Sequence, residues 1–148
     1  MAIGIRNFFR TTANQAVNTN IVPANITGLV VPVAASQVVH IDFVVPFSLG
    51  ATGGFRFLIA TPAAPTSNTA AYRVDDCTTA NTFFAAVQTA LAAFTNASAV
   101  AGNYIATISL DIVNGATAGN IALQFAQNNS TANNITILLG ASANVVYL

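Results

Sequence analysis

The chain has 148 residues, 54% of them apolar, and only 5% are charged where roughly 25% is usual. The cations are Arg6, Arg10, Arg56 and Arg73, the acids Asp42, Asp75, Asp76 and Asp111, and there is no Lys or Glu. A net charge of zero leaves no electrostatic case for nucleic acid or an anionic membrane, and the length fits one domain with an arm.

A surface built from Ala, Thr, Asn and Ser with so few charges is poorly defended against association, so much of it is expected to be covered in an assembly. The competing reading is a secreted or heat-resistant β-domain with a neutral polar surface. The single cysteine, Cys77, rules out an intrachain disulfide framework. No apolar run approaches the roughly 20 residues that span a bilayer. Arg6, Asn7 and Arg10 interrupt the apolar residues at the N-terminus, so no signal-peptide core forms there.

Residues 1–25 are expected to form an arm. Ile3, Ile5, Phe8 and Phe9 are its candidate anchors on a partner, and Arg6 and Arg10 its candidates for pairing with carboxylates. The plainer reading is a disordered terminus or an extra edge strand. The domain proper then runs over residues 26–148. Residues 26–33 read as a strand edged by Pro32. Residues 38–45 alternate, with Val39, Ile41, Phe43 and Val45 on one face and His40 and Asp42 on the other; Pro46 is expected to close the strand. The glycine-rich stretch 49–54 reads as a turn, 55–61 as a strand, 62–69 as a surface loop, and 71–75 as another strand. In residues 79–94, Phe83, Phe84, Val87, Leu91 and Phe94 fall near helical spacing among many alanines, which predicts one short helix. Residues 104–113 are a strand with apolar residues on both faces, so a central or interfacial place is expected. Asn114-Gly115 reads as a hairpin turn into the next strand.

The last thirty residues organise the chain. Ile121, Leu123 and Phe125 alternate with Ala122, Gln124 and Ala126; residues 128–134 hold only Asn, Ser, Thr and Ala; Ile135, Ile137 and Leu139 resume the alternation; and Val145 to Leu148 is an apolar end. Seven or eight short strands separated by Gly, Pro and Asn loops predict an all-β antiparallel sandwich or barrel.

The run GNIALQFAQN, the later TILLGAS and the closing YL resemble the C-terminal signature of small jelly-roll domains in tailed-phage structural proteins. Those domains are similar in shape to the tumour-necrosis-factor and C1q heads and often form trimers. The resemblance is clearest over residues 102–148, thinner over 38–62, and does not reach the first 25. It implies a jelly roll, no catalytic motif and no cofactor. It implies a homotrimer whose candidate interface residues are Tyr104, Ile108, Leu110, Phe125, Val146, Tyr147 and Leu148. The expected function is a capsid decoration or cement protein on the virion exterior, assembled in the host cytoplasm, whose arms staple major capsid protein subunits. The alternative is a receptor-binding head or tail-fibre tip presenting loops 49–54 and 62–69 to a glycan, and a secreted C1q-like module is a third reading.

Little chemistry is legible. His40 and Asp42 are neighbours on one strand face and could orient a general base, but Ser36 and Ser48 lie outside that strand and no nucleophile is placed. Asp75 and Asp76 lack the further oxygen ligands that calcium needs. Cys77 beside two carboxylates does not favour a thiolate. No zinc spacing or phosphate-cradling motif occurs. Sequons at Asn25, Asn96 and Asn134 matter only in a secreted eukaryotic protein.

Overall fold

The computed structural model describes residues 4–50, 53–62, 64–78, 83–97 and 99–148. Among them are twelve strands and no helix: β1 (Ile5–Arg10), β2 (Gln15–Val17), β3 (Ala24–Val33), β4 (Val38–Leu49), β5 (Phe55–Ala60), β6 (Ser67–Asp76), β7 (Phe83–Gln88), β8 (Phe94–Asn96), β9 (Gly102–Val113), β10 (Gly119–Gln127), β11 (Ile135–Ile137) and β12 (Ser142–Tyr147). They form two antiparallel sheets. The larger runs β1-β12-β4-β9-β6-β7, with β11 and β2 added beside β4; the smaller runs β3-β10-β5-β8.

Strands β4-β9-β6-β7 of the larger sheet and β3-β10-β5-β8 of the smaller make a jelly roll, the fold obtained by wrapping one long hairpin into two sheets. The pairs β6·β7, β5·β8, β4·β9 and β3·β10 are successive rungs of that hairpin. The ribbon continues outward as β2·β11 and β1·β12. Residues 4–25 therefore do not project as an arm: they are the open end of the ribbon. Thr11 N–H donates to the Ala141 carbonyl at 2.8 Å, Leu139 N–H donates to Asn14 Oδ1 at 2.7 Å, and Asn20 and Gln127 exchange hydrogen bonds. Such stitching satisfies backbone groups that a free tail would leave to water.

The core lies between the sheets. Val39, Ile41, Phe43, Val45 and Phe47 from β4 and Ala106, Ile108 and Leu110 from β9 meet Phe55 and Phe57 of β5 and Ile121, Leu123 and Phe125 of β10. Aromatic rings fill one part of it. Phe47 sits edge-on to Phe57 at 5.3 Å between centroids and stacks on Tyr104 at 5.3 Å, and Tyr72 stacks on Phe94 at 4.9 Å. Such pairs add about 0.5–1.5 kcal/mol each beyond area burial.

Four details differ from the sequence reading, each for a tertiary reason. The helix expected over 79–94 is absent from its described residues: β7 pairs with β6 and β8 with β5, and sheet pairing overrides alanine's helix preference; residues 79–82 lie outside the described set. Pro46 does not end β4. Its carbonyl accepts from Leu138 N–H, so its missing N–H falls on the side where β4 changes partner from β12 to β11, and the β9 ladder is unbroken. The connection at Asn114-Gly115 is not a hairpin, because β9 and β10 lie in different sheets. Asn114 is buried there, and its side-chain amide donates to the Ala34 carbonyl at 2.7 Å, tying this crossover to the one between β3 and β4. Finally β3 carries a three-residue excess between Asn25 and Val30, where Gly28 adopts φ +89° and a Cβ would stand 2.5 Å from the Arg10 carbonyl oxygen. Glycine lets β3 pass beneath β1 there.

Candidate interaction face

The outward face of the larger sheet is built by strict alternation. Every second residue of β4, β9 and β6 points into the core, and the others form rows across the sheet. One row reads Arg6, Val146, His40, Asp111, Thr69 from β1 to β6. The next reads Phe8, Asn144, Asp42, Ser109, Ala71 and Val87, and the next Arg10, Ser142, Val44, Thr107, Arg73 and Ala85. Six of the eight charged residues lie on this face; Arg56 and Asp76 are the other two. So do Phe8, Val38, Val44, Val87, Ile105 and Leu148, six of the eleven exposed large apolar side chains among the described residues. Phe8 is 66% and Val87 72% exposed, at opposite margins of the sheet.

A polar cluster occupies the middle of the face. His40 Nδ1 lies 2.8 Å from Asp111 Oδ1, directly across the β4–β9 ladder. His40 Nε2 lies 3.0 Å from Asp42 Oδ2, two residues along the same strand. Ser109 Oγ donates to Asp42 Oδ1 at 2.8 Å. The Asp111 hydrogen bond is the main cause that raises the His40 pKa above 6.5; partial burial opposes it and Asp42 adds to it. The cluster is unsuited to nucleophilic catalysis, because both ring nitrogens face carboxylates and the Ser109 hydroxyl is held by Asp42, not by His40. Nearby, Arg73 Nε donates to both oxygens of Asp75, at 2.9 and 3.0 Å. Among the described residues no group of three or more His, Cys, Asp or Glu side chains is placed to hold a metal ion.

The residues singled out from sequence fall into distinct places. Ile3 lies outside the described residues. Arg6, Phe8 and Arg10 share the outward face, Ile5 is exposed at the sheet margin, and Phe9 packs against the core. Tyr104, Ile108, Leu110 and Phe125 are 2%, 0%, 0% and 0% exposed within the single chain, so their side chains are spent on the core and offer a second chain no area. Tyr147 turns inward and its hydroxyl donates to the Pro32 carbonyl at 3.0 Å. Val146 and Leu148 remain on the outward face, Val146 in the row of Arg6 and His40. Of loops 49–54 and 62–69, residues 51, 52 and 63 lie outside the described set, and β6 already begins at Ser67. Sequence reasoning does not reach Asp111 as a partner of His40, nor Ser109 as a partner of Asp42, because cross-strand register is set by distant pairing. The available signal was that Thr107, Ser109 and Asp111 make one side of β9 polar.

No protein-family model and no curated protein matches the chain. Among solved structures it is similar to one described as "Structure of infectious bursal disease virus Gx strain", with 10% identity and a TM-score of 0.26 over 97% of this chain and 37% of that one. The jelly-roll assignment rests on the strand order above and takes nothing from this likeness, which is to a virus and does not single out tailed phages.

Proposed function

We propose that this protein is a non-enzymatic structural subunit of a viral particle, a decoration or cement protein that acts by packing the outer face of its larger sheet against other chains. The observation that carries this reading is the concentration on one face of most exposed large apolar side chains and most charges. Its size fits. Six strands about 4.8 Å apart and some six or more residues long at about 3.4 Å each give a face of roughly 600 Å² or more, against about 800 Å² per partner in a standard interface. The scarcity of charge elsewhere and the C-terminal resemblance to phage jelly-roll proteins support the same reading. The partners would be further copies in a threefold assembly and the major capsid protein. Phe8, Arg6 and Arg10 would make contact from the β1 strand and not from a free tail. Three copies acting as a unit would turn weak single contacts into firm binding.

The test is binding of the purified chain to particles that lack it, read by co-sedimentation. The wild type is expected to bind, and Phe8→Asp with Val87→Asp is expected to lose binding while keeping its circular dichroism spectrum. Equal binding by that variant would refute the face. Antibody labelling of whole virions is expected to cover the shell; a signal confined to the tail end would instead mark a receptor-binding tip.

A further inference from the structure

We propose that His40, clamped between Asp42 and Asp111, makes association through this face proton-dependent, with the face competent while His40 carries its second proton and weakened when it is lost. The proposal rests on the assembly reading above and assigns its regulation.

The geometry is the main argument. A neutral imidazole has one N–H and one lone pair, yet both His40 nitrogens lie within 3.0 Å of carboxylate oxygens. Only the imidazolium can donate to both. The cluster spans two central strands of the path, with two strands on one side of it and two on the other. Among the described residues the neighbouring elements place no second cation in an ion pair with Asp42 or Asp111. On β12 the facing residues are Val146 and Asn144, and the next charge beyond them is Arg6 of β1, opposite Val146. On β6, Thr69 follows Asp111 in the row, and Arg73 donates to Asp75. Ser109 gives Asp42 a neutral donor only. When His40 loses its proton, two carboxylates are left beside each other without the charge that joined them. A second chain laid over the face would then have to desolvate both.

The sign follows from the raised pKa. Stabilisation from the clamp is fully present below 6.5, the ordinary value, and is lost as the pH rises through the higher folded-state value.

His40 is the only histidine, so its imidazole C–H signals in a proton NMR titration of the full-length chain need no assignment. The expected result is a midpoint above 6.5 that moves down in Asp111→Asn, with the light-scattering mass falling over the same pH interval as the wild-type midpoint. His40→Gln keeps a polar bridge without the proton, and its mass is expected not to vary across that interval. A midpoint at or below 6.5 overturns the proposal. So does an oligomer whose mass stays constant through the titration, which leaves the assembly reading intact. A monomer at every pH sinks the assembly reading and this proposal with it.

Discussion

The outward faces of the two sheets are made by the same alternation and carry opposite contents. On the larger sheet, Phe8, Val44, Ile105 and Val87 stand among arginines and aspartates, uncovered by any other part of the described chain. On the smaller sheet the outward residues of β10 are Ala122, Gln124 and Ala126, and those of β5 are Arg56, Leu58 and Ala60. Ala126 is fully buried although its position in the pleat points it outward, and Ala122 is 4% exposed. The chain crosses this end of the sheet: Asn20 and Gln127 exchange hydrogen bonds and Arg56 Nη1 donates to the Ile21 carbonyl at 3.3 Å. The smaller sheet is thus partly covered by the chain's own N-terminal segment, and the larger is left bare. A β-face that leaves several large apolar side chains bare is what an association surface looks like before its partner arrives.

The comparison can be broken first at the N-terminal ribbon. Deleting residues 1–20 strips β12 and β11 of their outer partners and uncovers the end of β10, so the chain is expected to lose its cooperative thermal transition. A truncated chain that still melts cooperatively near the wild-type temperature would show that the first twenty residues are an appendage after all. Next come the inner faces, where the two sheets should behave alike. Phe57→Ala in the smaller sheet is expected to cost about 3–5 kcal/mol and Ile108→Ala in the larger about 2–5 kcal/mol, measured by urea denaturation. Outward substitutions should then separate the sheets. Val44→Asp is expected to reduce self-association with little change in stability, whereas Thr95→Asp on β8 of the smaller sheet is expected to leave association unchanged. The smallest effect concerns Tyr72, whose hydroxyl is buried without a partner among the described residues, its pKa pushed up to about 12 by burial. Removing an unsatisfied hydroxyl relieves a desolvation cost, so Tyr72→Phe is expected to be neutral or to stabilise by about 1 kcal/mol in the same denaturation assay.

Local pattern made much of this legible in advance. The alternation in β4, β9 and β10 set which residues share a face, and the all-β class follows from it. Pairing partners did not follow, because the ribbon joins residues as far apart as Ile5 and Tyr147. That is why residues 4–25 read as an arm, and why Tyr104, Ile108 and Leu110 were placed at an interface when β9 looked apolar on both sides. The polar set Thr107, Ser109 and Asp111 already distinguished those sides, and burial follows that distinction. The stretch 79–94 misled for a different reason. Its alanines suit a helix in isolation, and only the open ladder beside β6 makes Phe83–Gln88 a strand. The His40–Asp42 pair was visible as i and i+2 on one strand; Asp111 entered only through the β4–β9 register.

The most direct test of the assembly face is the solution mass of the full-length chain by light scattering on a sizing column, below pH 6.5, where His40 holds its proton. The account predicts a multiple of 15.2 kDa, three chains in the threefold arrangement, that falls to 15.2 kDa when Phe8 and Val87 are both replaced by Asp. A wild-type chain that stays at 15.2 kDa at every concentration would contradict it.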